Sequence, residues 1–187
     1  MRVIAGSARG LKLAPPVGLN TRPTADRVKE SLFSILSSRH TLQNAHVLDI
    51  CAGTGSLGIE ALSRGAAAGY FIEHDRSVAR ILEKNLASTG FIDRSVCLVT
   101  DVIQGLQTLS RQGVRFDLVF FDPPYASGLY TQVFDTLGSL NILAEDALIV
   151  AECSTRTVLD ERYGPFIKVD RRSYGDVTLE FFSREHP

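Results

Sequence analysis

Cysteine is scarce in this chain: Cys51, Cys97 and Cys153 are the only three in 187 residues. Their number is odd and their spacing wide. They form no CxxC pair and no zinc pattern with the four histidines. This argues against a disulfide scaffold and a structural zinc domain, and three reduced, largely buried thiols are expected. No apolar stretch has the length of a membrane span. The opening MRVIAGSARG lacks the apolar core of a signal peptide, so the chain is expected to stay in the cytosol. Repeats, low-complexity tracts and recognisable linkers are missing as well. The chain as a whole, 44% hydrophobic and 22% charged, is ordinary for a soluble globular domain able to bury a real core.

A net charge of −1 says nothing about nucleic acid, but its distribution does. Residues 1–40 hold Arg2, Arg9, Lys12, Arg22, Arg27, Lys29 and Arg39 against only Asp26 and Glu30, while the rest of the chain is acidic. A basic arm on an acidic body suggests an edge that faces phosphate; a merely solvated segment is the bland alternative.

Residues 1–13 alternate weakly and contain Gly6 and Gly10, as a short hairpin or arm would. Thr24 and Asp26 then open a helix with Val28, Leu32, Ile35 and Leu36 on one stripe. From residue 46 strands alternate with helices. Strands are predicted at 46–50, 70–73, 96–100, 116–121 and 147–152. Helices are predicted at 55–64, from a cap at Asp75 through Leu86, near 102–110 and at about 130–137. Continuous apolar strands separated by helices imply a mostly parallel, doubly wound α/β sheet. The tail differs: Ile167–Ser173 and Val177–Ser183 have only Tyr174-Gly175-Asp176 between them, which predicts a closing hairpin with an antiparallel last strand. Seven strands result, in a Rossmann-like arrangement. The chain divides into a basic extension, 1–40, and a catalytic domain, 41–187.

Gly53, Gly55 and Gly58 satisfy GxGxxG at the first strand-to-helix junction. Glycines let main-chain N–H groups approach a ligand at the helix N-terminus, and the pattern alone fits NAD as well as S-adenosylmethionine. Asp49, just before the loop, would repel a pyrophosphate but can accept from an ammonium. Asp49, Glu73, Asp101 and Asp122 then fall at successive strand ends, where open α/β sheets bind ligands. Glu73 is placed to take both ribose hydroxyls, and Asp101 to accept from the adenine amino group, with the Val102 N–H facing the ring edge. Asp75 is read as a helix cap. Each acid taken singly is equally well a cap or a solvated loop residue.

Asp122-Pro123-Pro124-Tyr125 follows the strand FDLVFF. An exocyclic amine is a poor nucleophile because its lone pair is delocalised into the ring. The Asp122 carboxylate and the Pro123 carbonyl can bind both amine hydrogens and turn the lone pair outward. Two prolines hold that carbonyl rigidly. Tyr125 offers a face for an extruded base.

These features resemble the N6-adenine/N2-guanine branch of the class I methyltransferases, whose motif is [DNS]-P-P-[YFW]. MRVIAGSARGLKL, RPTADRVKESLFSIL, LDICAGTGSLGIEALSRGA, FDLVFFDPPY and RRSYGDVTLEFF resemble the RsmD family over nearly the whole chain. The resemblance implies transfer of a methyl group from S-adenosylmethionine to a guanine N2 of 16S ribosomal RNA. It implies donor contacts at Asp49, Cys51, Ala52, Gly53, Thr54, Gly55, Glu73, His74, Asp101 and Val102. The catalytic segment would be Asp122, Pro123, Pro124 and Tyr125. Arg22 and Thr24 would border the donor or the target base, with Arg2, Arg9, Lys12 and Arg27 towards RNA. No metal is implied, and a monomer is expected. So little chain remains for substrate contact that the RNA is expected to be recognised partly by shape, within a partly assembled small subunit. Three alternatives stay open. They are an NAD-dependent oxidoreductase, a non-catalytic RNA-binding assembly factor, and an amino methyltransferase acting on adenine N6 or a glutamine side chain.

Overall fold

The computed structural model describes residues 1–15, 23–39, 41–123 and 128–185, with residues 23–25 as backbone alone. Five strands run parallel: β1 (His46–Ile50), β2 (Ala68–Glu73), β3 (Ser95–Val99), β4 (Phe116–Phe121) and β5 (Leu143–Ser154). Between them lie α2 (Ser56–Ser63), α3 (Arg76–Thr89), α4 (Val102–Arg111) and α5 (Leu129–Ser139), preceded by α1 (Pro23–Ser38). The apolar runs of β1 and β4 are buried on both sides, because α1, α2 and α3 pack on one face of the sheet and α4 and α5 on the other.

Three further strands complete the sheet: β6 (Arg162–Tyr163), β7 (Phe166–Tyr174) and β8 (Val177–Arg184). The strand order is β3-β2-β1-β4-β5-β8-β7-β6. The closing hairpin is present, and β8 lies antiparallel to β5. Among the described residues the sheet has eight strands rather than seven. Arg162–Tyr163 pairs with the start of β7 over two residues, too short a run to give a periodic signal.

Helix ends follow local chemistry. Asp75 caps α3, its carboxylate accepting from the Ser77 and Val78 amides at 2.7 and 3.2 Å, and Gly90 closes it at φ 77°. Helix α1 begins at Pro23, where a missing N–H costs nothing. Thr24 and Asp26 both lie in its first turn, where the sequence expects the helix to open.

Residues 1–13 form a closed loop. The Val3 amide donates to Leu11 O at 3.0 Å and the Leu13 amide to Met1 O at 3.0 Å, with Arg2 bridged to Lys12. Val3, Ala8 and Leu13 are buried in the core shared with α1, α2 and α3. The loop is held by a fully buried carboxylate, Glu60 of α2. It accepts from the Ile4 and Ala5 amides at 2.8 and 3.0 Å and from Arg64 Nε at 2.8 Å, and faces Lys29 Nζ at 3.4 Å. Lys29 Nζ also donates to Arg2 O at 2.7 Å. Removing one partner of such a buried pair strands the others without compensation, at a cost of roughly 3–5 kcal/mol. Glu60→Ala is thus expected to lower stability by that amount. Amide exchange at Ile4 and Ala5 should accelerate ahead of the sheet; unchanged protection there would show that another contact holds the loop.

Candidate active site

The register of the sheet decides what meets at its carboxyl edge. Ile50 of β1 pairs with Ile72 of β2 on one side and with Phe121 of β4 on the other, and Phe121 pairs with Ala151 of β5. One residue further along, Glu73, Cys51, Asp122 and Glu152 stand in a row across four adjacent strands. Alternation of side chains puts Glu73, Asp122 and Glu152 on the face covered by α1 and α2, with Asp49 one step below. Strand order reverses between β1 and β4, which makes this the switch-point crevice of an open α/β sheet.

The turn after β1 is conformationally demanding. Cys51 has φ 59°, uncommon outside glycine, and Gly53 and Gly55 follow at 56° and 83°. The Ala52 amide donates to Ile72 O at 2.9 Å, and Gly53 N–H donates to Glu73 Oε2 at 2.9 Å. Glu73 Oε1 accepts from the Asp75 amide at 2.8 Å and lies 3.1 Å from His74 Nδ1. Glu73 is therefore a clamp between the glycine turn and the end of β2. A side chain at Gly58 would fall 2.3 Å from Phe71 and 3.2 Å from Asp49 Oδ2, whereas one at Gly53 would meet nothing within 4 Å. Gly58 serves packing; Gly53 leaves the crevice side of the loop open.

Buried Asp49 accepts from the Gly58 amide at 2.9 Å. Loss of hydration raises its pKa to about 7 against the opposing pull of that hydrogen bond, and Glu73 adds repulsion. Cys51 is held up to about 12 by burial and by Glu73, Asp122 and Asp49, so it is no nucleophile. All three cysteines are free; Cys153 is buried, the other two only half-buried.

Asp122 is open to the crevice while Pro123 beside it is buried. Although its side chain reaches solvent, the surrounding protein strips much of its hydration, and Glu152 and then Asp49 add like charge. Together they hold its carboxyl well above the usual carboxylate range. Water on the open side screens part of this. Asp101 does not point freely into the crevice. It caps α4 and accepts from the Gln104 amide at 3.1 Å. Val102 is the first residue of that helix and is half-buried.

A protein-family model described as "Conserved hypothetical protein 95" matches residues 1–183. Ribosomal RNA small subunit methyltransferase D of Escherichia coli K12 is 35% identical over 185 residues, covering 99% of this chain and 90% of its own. Its counterpart in Haemophilus influenzae is 38% identical over 152 residues, covering 81% and 78%. The chain belongs to the RsmD family. The solved Escherichia coli structure of yhhF superposes with a TM-score of 0.85 at 36% identity, covering 99% of this chain and 98% of that one. The RsmD fold, a mostly parallel sheet with an antiparallel end, is thus that of a class I methyltransferase, and this RsmD chain is a methyltransferase.

The structure brings Asp49, Cys51–Gly55, Glu73, His74 and Asp122–Pro123 to one edge. Pro124, Tyr125, Arg22 and the Thr24 side chain lie outside the described residues. Arg2, Arg9 and Arg27 line a cleft of about 340 Å³ together with Asp26 and Glu30, and Lys12 lies beside Arg2. Three residues escaped the sequence reading. Glu152 stands next to Asp122. Buried Asn85 donates to Thr54 O at 3.0 Å while exchanging bonds with both backbone groups of Ala14. Lys29 donates to Ser56 Oγ at 3.3 Å as well as to the N-terminal loop. An asparagine on the buried stripe of an amphipathic helix is a usable signal; the others gave none.

Asp49 makes a stability prediction. Its ordinary pKa is 3.8 and its folded value about 7. Between these values the folded state holds a proton that the unfolded state lacks. The group's contribution is therefore neutral below about pH 4, and stability falls as pH rises to about 7, by roughly 4 kcal/mol in full. Asp49→Asn keeps the acceptor for Gly58 and removes the charge. It should melt several degrees above wild type at pH 8, with the gap closing by pH 4. An equal gap at both values in thermal denaturation would contradict the burial argument.

Proposed function

We propose that the protein transfers a methyl group from S-adenosylmethionine to the exocyclic N2 of a guanine in 16S ribosomal RNA, as the named RsmD relatives suggest for the RNA substrate. The observation that carries this reading is Asp122 standing exposed at the end of β4, one strand away from the glycine turn, with Pro123 next to it in the chain. The residues suit the donor. Gly53 leaves room against the loop, and a buried carboxylate lies at each of the first two strand ends. S-adenosylmethionine supplies an electrophilic methyl group on a sulfonium. Asp49 and the backbone of Cys51, Ala52, Gly53, Thr54 and Gly55 face its methionine end. Glu73, beside His74, addresses the ribose. Asp101 keeps one carboxylate oxygen for the adenine amino group while the other caps α4, and the Val102 N–H faces the ring.

The chain's own work is orientation. The Asp122 carboxylate and the Pro123 carbonyl accept the two amine hydrogens and direct the lone pair along the line of transfer. No strong base is needed, because the amine loses its proton after it has become cationic. As the motif implies, Tyr125 is the residue to stack on the base, with Pro124 in the same catalytic segment. Asp122 is the stronger acceptor when ionised and turns one oxygen into a donor when protonated, so turnover should fall on the acid side at a pH above that of an ordinary carboxylate.

The extension, 1–40, is the RNA-facing part: Arg2, Arg9, Lys12, Arg22 and Arg27 meet phosphate, with Thr24 near the target, while 41–187 carries the chemistry. We place the reaction in the cytoplasm, on a partly assembled subunit, with the protein as a monomer. Methyl transfer to small-subunit RNA, followed by mass spectrometry of the digested nucleosides, tests the reading. N2-methylguanine is expected, with a loss of at least about 100-fold in Asp122→Ala. Methylated adenine, or no product, would overturn it. Replacing Arg2, Arg9 and Lys12 by Ala should weaken RNA binding and flatten its salt dependence by roughly 0.7–0.9 for each phosphate no longer neutralised, leaving donor affinity unchanged. Loss of donor binding would refute this division.

A further inference from the structure

The site is assigned by its motif and by family membership; the open question is how it distinguishes guanine from other amino-bearing bases. Guanine presents N1–H and N2–H side by side on its Watson–Crick edge, both donors. Adenine and 2-aminopurine also carry an amine, but their N1 is an acceptor. A site that reads guanine therefore benefits from a second acceptor next to the one that holds the amine, and such an acceptor repels the N1 lone pair of the wrong base.

Glu152 occupies that place. The pairing Phe121↔Ala151 puts Glu152 level with Asp122 on the adjacent strand and on the same face. Neighbouring strands lie about 4.8 Å apart, a separation that two side chains converging on adjacent base atoms can close. Both strand ends are pinned by one residue. Tyr130 of α5 packs edge-on against Phe121 at 5.4 Å and donates its hydroxyl hydrogen to Glu152 O at 2.8 Å. The backbones that carry Asp122 and Glu152 are thus fixed relative to each other by the same buried side chain. Glu152 is half-buried, so an unsuitable partner there would lose hydration without return.

We propose that Glu152 is a specificity-determining residue that accepts the N1–H of the target guanine while Asp122 and Pro123 accept the amine hydrogens. The proposal rests on the guanine-N2 reading above. If wild type forms no N2-methylguanine, that reading fails; if it does, Glu152 is tested separately.

The test uses small-subunit RNA, free or reconstituted into particles, carrying either guanine or 2-aminopurine at the mapped target. Wild type is expected to prefer guanine by at least about 100-fold in kcat/KM. Glu152→Gln can turn its amide NH₂ towards an N1 lone pair, so its preference should narrow by about tenfold or more. Its melting temperature and S-adenosylhomocysteine affinity should stay close to wild type. An unchanged preference in Glu152→Gln overturns the proposal. Should that variant lose turnover on both RNAs, equilibrium binding of the two RNAs in the presence of S-adenosylhomocysteine decides. A narrowed binding preference in Glu152→Gln and Glu152→Ala supports the assignment, and a preference equal to wild type refutes it.

Discussion

The register of β1 between β2 and β4 is the constraint on which the rest of the crevice depends. A slip of one residue on either side would move Glu73 or Asp122 to the opposite face of the sheet. The register is secured by burial on both faces: Val47, Leu48 and Ile50 are fully enclosed, and so are their partners in β4. Glu73, Asp122 and Glu152 sit at the last rung, with Asp49 one step below it. The apolar sheet thus serves as a ruler that places charged groups at a fixed height.

Clamps between chain segments far apart in sequence hold the edge in shape. Glu73 ties the glycine turn to β2 through the Gly53 amide. Asn85 ties the carbonyl of Thr54 in the same turn to both backbone groups of Ala14, and Lys29 ties Ser56 to Arg2 O. The two ends of the N-terminal loop are therefore anchored on the two flanks of the glycine turn. A buried lysine is tolerated here because Glu60 faces it, although burial still lowers its pKa. Anything that reshapes the turn reaches the loop carrying Arg2 and Arg9 through two short polar bridges.

Much of this was legible in the sequence, for identifiable reasons. The apolar runs of β1 and β4, the cap at Asp75 and the glycine after α3 are local features, and each appears where local physics puts it. Asp49, Glu73 and Asp122 could be placed at strand ends because strand ends are local too. Glu152 could not, since it reads as the polar close of an ordinary strand until the β4–β5 register sets it beside Asp122. Asp101 shows the opposite situation. Its position at a strand end leaves a ligand role and a capping role both open, and only the structure shows that the helix that follows takes one of its oxygens as a cap. Asn85 is marked locally only as a polar residue on a buried stripe; its partner, like that of Lys29, lies far off in sequence, across 71 and 27 positions.

The crowding of carboxylates raises a question of its own, because the proposed substrate is a polyanion. Asp49, Glu73, Asp122 and Glu152 would repel a phosphate strongly, even with the proton affinities of Asp49 and Asp122 raised. The basic cleft of Arg2, Arg9 and Arg27 lies in the N-terminal loop and α1, not among these acids. On the proposed reading this separation is useful. Phosphates are held at the arginines and kept out of the crevice, and the neutral base is the part of the nucleotide that can enter. There its donor edge meets a crevice rich in acceptors. The same field that excludes the backbone thus favours a base rich in N–H donors, and among the amino-bearing bases guanine offers the most on a single edge.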